Sequence, residues 1–325
     1  MMFLNDKNIK TFSMIGSRAT LGMCALELAS ENPDLIILTS DVSTSAGLDR
    51  YRKKFPQQYL EVGIAEQNLI GIAAGLSSEG FDVITTTFAP FQTMRCCEQI
   101  KVNLGYMKNK VTMIGLASGL VLGNLGFTHC SIEDISVMRS IPNLTVISPA
   151  DTTETVKAIE SSISHFESTY IRLTGTSNSS LVYKKDYDFK IGEPDIIKIG
   201  KDICIIATGP MVHNALQVCE LLQNNNINAS LINIHTIKPI NVEKIKDLLI
   251  DSKLIVTIEE HSIVGGLGSA VAEINTSIQN SSPQFIMGIN DKYGKSGSYS
   301  YLLEKNGLDI KSLFERILTK YEQYR

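Results

Sequence analysis

Short, β-rich apolar runs alternate with helical stretches along this chain, and that rhythm limits the fold more than any other feature. Leu35 to Thr39, Val83 to Thr87, Val111 to Leu116, Asn143 to Ser148 and Tyr170 to Leu173 read as strands, with helical spacing between them. Strands joined through helices belong to mainly parallel sheets flanked by helices, the α/β class. The rhythm stops at Thr174 to Tyr187, a polar stretch rich in Ser, Gly and Lys, and restarts from about residue 190 with Ile203-Cys-Ile-Ile-Ala-Thr-Gly209. Two α/β domains are therefore expected, 1–180 and 190–325. A chain of 325 residues can give each of them a substantial core.

Charge and composition narrow the function classes. A net charge of -4 offers no electrostatic case for nucleic acid. No uninterrupted apolar run reaches the roughly 18 residues that span a bilayer, and Met1-Met-Phe-Leu-Asn-Asp-Lys7 lacks a cationic region followed by an apolar core. No membrane association is expected, and the expected place is the cytoplasm. The six cysteines lie mostly inside apolar runs without a CxxC pair, which fits buried, reduced thiols. Adjacent Cys96 and Cys97 point in different directions on a helix and have no His nearby in sequence, so no metal site is expected there.

The stretch Glu61-Val-Gly-Ile-Ala-Glu-Gln-Asn68 places an acid, Glu66, at the mouth of the small-residue helix Leu69 to Ser77. Glu66 either complements the helix dipole or, flanked by small residues that let a ligand approach, does chemistry. Phe88 and Phe91 straddle a strand-to-helix junction that opens a helix from Gln92 to Asn103; they are core, or a flat face for a heteroaromatic ring. A Gly-spaced loop, Ala117 to Gly126, leads to Phe127-Thr-His129, where His129 is structural or faces a ligand. Ser40 to Gly47, with Asp41 and Ser45, is a polar loop after a strand, where open parallel sheets hold ligands and where solvated turns also occur. Ser131-Ile-Glu-Asp134 reads as a capping box, and Pro149 to Glu154 caps the next helix. The glycine-rich turn Glu259 to Ser269 either cradles an anion or permits close packing.

IAEQ, the FAPF junction, FTHCSIEDI, RSIPNLTVISPADTTET and EEHSIVGGLG occur in this order. With these motifs over nearly its whole length, the chain resembles the C-terminal half of a transketolase, and more closely the separate C-terminal subunit of split transketolases. The resemblance implies a pyrimidine-binding domain followed by the family's C-terminal domain, with thiamine diphosphate as cofactor. Glu66 then matches the glutamate that hydrogen-bonds the aminopyrimidine ring nitrogen and so activates the cofactor. Phe91 matches the aromatic stacked on the pyrimidine, Phe88 its neighbour, and Asp41 a loop position facing the cofactor. Ser45 and Arg18 match positions facing a substrate phosphate, and His129 the histidine that contacts the sugar.

The family's GDG segment, which with a downstream Asn holds Mg2+ and the cofactor diphosphate, occurs nowhere in this chain. The resemblance thus implies a partner N-terminal subunit carrying Mg2+ and diphosphate, and a site formed between chains in a heterotetramer or larger assembly. Three positions depart from the family pattern: Ala117 for a loop histidine, Leu125 for an acid that reads the donor hydroxyl, and Gly175 for an arginine that binds phosphate. Such losses point to a more apolar or differently substituted substrate. The expected reaction is transfer of a two-carbon ketol unit between sugars. A 2-oxo acid decarboxylation, as in 1-deoxyxylulose 5-phosphate synthase or the beta chain of a 2-oxo acid dehydrogenase, and a non-catalytic assembly role are the alternatives.

Overall fold

The computed structural model describes residues 4–175, 177–250 and 252–324. Met1 to Phe3, with which the reading of the N-terminus begins, and Thr176 of the polar stretch lie outside them.

The first half builds strands β1 (Leu35–Thr39), β2 (Tyr59–Glu61), β3 (Asp82–Phe88), β4 (Val111–Leu116), β5 (Leu144–Ile147) and β6 (Ser168–Arg172). All pair in parallel, in the order β5-β6-β4-β3-β1-β2. The second half contributes β7 (Asp195–Lys198), β8 (Ile203–Ala207), β9 (Ala229–Asn233), β10 (Thr236–Lys238), β11 (Leu254–Ser262) and β12 (Gln284–Ile289). Of these, β12-β11-β8-β9 are parallel and β7 closes the edge antiparallel to β9. The remaining strand, β10, crosses back to pair antiparallel with β5, so the second half supplies the edge of the first half's sheet. The two sheets are accordingly the α/β, mainly parallel layers that the rhythm predicts, joined by one borrowed strand.

Both faces of each sheet are covered. Leu21, Ala25, Val156 and Ile159, from helices Asp6–Glu31 and Thr152–Ser164, pack on one face of the first sheet. Leu69, Ile70 and Ala73 of helix Glu66–Ser78 pack on the other, in a core that continues through Ile206, Ile232 and Leu267 of the second half. Residues alternate along β8: Cys204 and Ile206 join this shared core, while Ile203, Ile205 and Ala207 face helices Met211–Asn224 and Ile310–Tyr321. The inner parallel strands are buried on both sides, which is why their runs read as continuously apolar, whereas β2 at the sheet edge is largely exposed.

Several local expectations are revised. The run Gln92 to Asn103 is not one helix: one turn at Ala89–Gln92 gives way to a tighter turn at Met94–Cys96, then Cys97–Gln99, then a wide-turned segment Ile100–Tyr106. Ser131 does not cap helix Asp134–Arg139, because its backbone bridges Gly119 in both directions. Asp134 turns inward to bind Arg172 and Tyr170 instead. Asp151 does cap Thr152–Ser164, accepting from Glu154 N at 2.9 Å. The polar stretch after Arg172 is sewn down, with Val182 N and Tyr183 N on Asp151 Oδ2 (both 2.8 Å) and the Tyr183 and Tyr187 rings stacked at 4.1 Å.

The glycine-rich turn is no open anion cradle. Glu259 itself accepts from Leu267 N (2.7 Å) and Gly268 N (2.8 Å), so its own carboxylate sits at the start of helix Leu267–Asn275. Burial pushes that carboxyl up to about 7, against the pull of those two N–H groups. A side chain at Gly266 would place its Cβ 2.0 Å from Glu259 Oε2, which makes close packing the reason for glycine here.

Candidate active site

The candidate residues gather at one edge of the first sheet because β2, β1, β3 and β4 are neighbours and all run the same way. Asp41 follows β1, Glu66 follows β2, Phe88 ends β3 with Phe91 one turn later, and His129 closes the long loop after β4. The carboxyl ends of parallel strands open into such a crevice by construction.

Glu66 is the first residue of helix Glu66–Ser78, and its side chain is only 5% exposed. The helix lacks a side-chain cap, and Glu66 Oε1 instead accepts from Arg95 Nη1 at 2.7 Å. The Arg95 guanidinium carbon lies 4.0 Å from the Phe91 ring centroid. Phe91 meets the His129 ring edge-on at 5.4 Å and Phe88 at 6.4 Å. Glu66, Phe91, Phe88 and His129 thus form one contiguous group, as the motifs suggest. Arg95 stands in the middle of that group and was not among the candidates. Its only sequence signal was its place four residues after Phe91 on a presumed helix, and the helix is broken there.

Asp41 and Glu66 are linked through the backbone. Asp41 has a left-handed φ of 57°, which Asp tolerates better than most residues. Its N–H donates to Glu61 Oε1 at 2.7 Å, and Gly63 N donates to the same oxygen at 2.9 Å. Thr39 Oγ1 and Tyr59 OH donate to Glu61 Oε2 at 2.6 and 2.9 Å. Burial works to raise the Glu61 pKa, but the hydrogen bonds from Thr39, Asp41 and Gly63 outweigh it and hold the carboxyl below the ordinary glutamate value. Glu61, also missed from sequence, therefore pins together the loops that carry Asp41 and Glu66. Ser40 adds a second tie, donating to Gly63 O at 2.5 Å and accepting from Ala65 N at 3.2 Å.

Arg18 lies against the loop that carries Asp41 and Ser45 through a helix-to-loop contact. The first helix kinks at Gly16, and just beyond it the backbone of Arg18 and Ala19 lies against Gly47. The contact is tight: a Cβ on Gly22 would sit 2.0 Å from Gly47 O. Gly22→Ala is expected to cost about 3 kcal/mol in urea unfolding, because backbone has to shift on both sides. A loss below about 0.5 kcal/mol would show that the loop yields freely.

The loop carrying His129 is held from both halves. Gly119 and Ser131 bridge its base at 2.9 and 3.0 Å. Glu260 Oε1 accepts from Leu120 N at 2.7 Å, and Arg172 Nη2 donates to Ser131 O at 3.2 Å. Gly297 N donates to Gly123 O at 3.0 Å, and Tyr293 meets Phe127 edge-on at 5.6 Å. Burial pushes the Glu260 carboxyl up to about 7, with Arg172 pulling the other way. Of the three departures, Ala117 is buried, Leu125 is 59% exposed, and Gly175 has a φ of 101° with open space where a side chain would start.

Residues 13–177 match the family model for the transketolase pyrimidine-binding domain, and residues 192–313 that for the transketolase C-terminal domain. The chain belongs to the transketolase family. Among its relatives is a subunit of the apulose-4-phosphate transketolase of Phocaeicola vulgatus, 34% identical over 94% of this chain and 97% of that protein. Another is a 6-deoxy-6-sulfo-D-fructose transketolase subunit from a Clostridium species, 34% identical over 89% of each chain. A solved split-gene transketolase, described as an inactive beta4 tetramer, superposes with a TM-score of 0.87 at 34% identity, covering 96% of this chain and all of that one. As a transketolase family member the chain is of the thiamine diphosphate-dependent transferase type. Among the described residues no group of three or more His, Cys, Asp or Glu could hold a metal ion, and no helix is long and apolar enough to cross a membrane.

Proposed function

We propose that this chain supplies the pyrimidine-binding half of a thiamine diphosphate-dependent ketol transferase, with the diphosphate and Mg2+ held by a second, N-terminal polypeptide. The observation that carries the reading is a buried carboxylate, Glu66, beside an aromatic face, Phe91, at the carboxyl edge of a parallel sheet. Carboxylate and ring already hold one planar nitrogen cation, Arg95, so the residues present fit a planar aminopyrimidine. When bound, thiamine diphosphate supplies a carbon nucleophile able to add to a ketose carbonyl.

In this reading Glu66 holds a proton toward the ring nitrogen of the pyrimidine, and its burial keeps water from competing for that hydrogen bond. Phe91 offers the stacking face, with Phe88 packed behind it. Asp41 faces the cofactor from the loop that Glu61 orders. His129 Nδ1 partners with Thr128 Oγ1 at 3.0 Å, which leaves Nε2 to contact a substrate oxygen. Arg18 and Ser45 meet the distal end of the substrate, where Gly175 supplies no phosphate-binding side chain. The division into a pyrimidine-binding unit 1–180 and a C-terminal unit 190–325 belongs to the same reading, with β10 crossing the boundary. So do a heterotetrameric assembly, a sugar substrate and a cytoplasmic place, the last supported by six free cysteines.

The test is activity of this chain co-expressed with a chain carrying the GDG segment, in thiamine diphosphate and Mg2+, against ketose, aldose and 2-oxo acid substrates. Ketose-to-aldose transfer is the expected result. Absence of turnover with every pair of substrates, in an assembly that binds the cofactor, would overturn it. A 2-oxo acid donor is the second reading, favoured by the exposed apolar Leu125 on the loop beside His129.

A further inference from the structure

Arg95 lies where the preceding reading seats the pyrimidine. Its Nη1 donates to Glu66 Oε1 at 2.7 Å while its guanidinium plane lies over Phe91, 4.0 Å from the centroid. A guanidinium and an aminopyrimidine offer the same two features: N–H bonds in the plane and a delocalised face. Glu66 Oε1 and that face of Phe91 serve one such guest at a time.

We propose that Arg95 is the resident occupant of the pyrimidine seat in the cofactor-free chain, and that pyrimidine entry requires the guanidinium to leave. The proposal rests on the cofactor reading given above. Its physical basis is the burial of Glu66. A carboxylate buried to this degree without a partner is strongly disfavoured. An isolated chain must therefore protonate Glu66, distort, or provide a cation, and Arg95 is that cation.

The exit is short. The Arg95 side chain is 43% exposed, so it reaches solvent without crossing the core. The tight turn Met94–Cys96 and the wide-turned Ile100–Tyr106 interrupt the helix on which it would otherwise be held in register. Gln67 Nε2 donates to Arg95 O at 3.1 Å, which anchors the backbone while the side chain swings. Arg95 thus pairs the buried acid until a ligand replaces it. A pyrimidine entering the seat gains the Glu66 and Phe91 contacts and displaces the ones Arg95 was making, so its apparent affinity carries that cost.

Binding of thiamine to the full-length chain, measured by calorimetric titration, tests this. Arg95→Ala is expected to bind thiamine roughly tenfold tighter than the wild type, because no competing contact has to be broken. Arg95→Lys, which keeps the charge without the planar fork, is expected between the two. A second readout is thermal: without thiamine Arg95→Ala melts below the wild type, and saturating thiamine raises its Tm by more. Equal or weaker binding by Arg95→Ala would overturn the proposal while leaving the cofactor reading intact, since Arg95 would then support the seat instead of filling it. Failure of both proteins to bind thiamine would overturn the proposal while leaving the cofactor reading intact if the co-expressed pair still binds thiamine diphosphate, and would overturn both if the pair does not.

Discussion

Glu66→Gln lowers kcat/KM of the assembled enzyme on the order of 10^3-fold while leaving the chain folded. Gln has the same shape and still accepts a hydrogen bond from Arg95, so packing around the site is preserved. What it loses is the ionisable oxygen that can hold a proton for the pyrimidine. The substitution also removes the charge that Arg95 neutralises, but Arg95 is half exposed and its guanidinium can hydrate, so the stability change should stay within about 1 kcal/mol. Steady-state kinetics on the co-expressed pair, with unfolding followed in parallel, separates the two effects. A kcat/KM within about tenfold of the wild type would mean that Glu66 is only a helix-terminus charge, the plainer of its two sequence readings.

The largest stability effect is expected at Arg172, at the end of β6. Its side chain is 1% exposed, and that of its partner Asp134 is fully buried, with Arg172 Nε on Asp134 Oδ2 at 2.8 Å. Tyr170 OH donates to the same carboxylate at 2.7 Å. Arg172 Nη2 donates to Glu260 O at 2.8 Å, and Nη1 to Thr174 Oγ1 at 3.0 Å. One guanidinium therefore joins the first sheet, the base of the His129 loop and β11 of the second sheet. Arg172→Met leaves Asp134 as an uncompensated buried charge and is expected to cost about 3–5 kcal/mol. The double variant Arg172→Met, Asp134→Leu should recover part of that loss, because it is the orphaned charge and not the missing pair that dominates. Urea unfolding of the two variants provides the check. A single-variant loss under about 1 kcal/mol, or a double variant less stable than the single, would show that water reaches Asp134 and that the halves are held by other contacts. Because Arg172 also holds Ser131 O, the same variant should raise KM through the His129 loop more than a purely distant destabilisation would.

Much of the architecture was legible without coordinates. Strand positions in both halves were readable because parallel strands buried on two faces are continuously apolar, and helix Thr152–Ser164 because Asp151 stands at its cap with Glu154 three residues on. Glu66, Phe88, Phe91, Asp41 and His129 were readable as candidates because each follows a strand at its carboxyl end, and equal strand direction then forces them to one edge. Local readings failed where a residue had a better partner far away in sequence. Ser131 and Asp134 had the spacing of a capping box, yet Gly119 and Arg172 outcompete the helix N-terminus for them. Glu259 to Ser269 had the composition of an anion cradle, yet Glu259 occupies it. Gln92 to Asn103 had helical composition, yet the chain breaks step to bring Arg95 over Phe91.

The sequence by itself determined the α/β class, the two-unit rhythm, the acid at the mouth of a buried helix and the absence of a diphosphate-binding segment. These depend on residue type and on spacing along the chain, and both are local. It took packing in three dimensions to put Arg95 between Glu66 and Phe91, to make Glu61 bind the Asp41 and Glu66 loops together, to hold the His129 loop by Arg172 at the end of β6 and by Glu260 from the other half, and to return Thr236–Lys238 to the first sheet. Each of these joins groups from separate elements. Which buried charge meets which partner is settled when packing strips their water away, and no periodicity in the chain records that outcome.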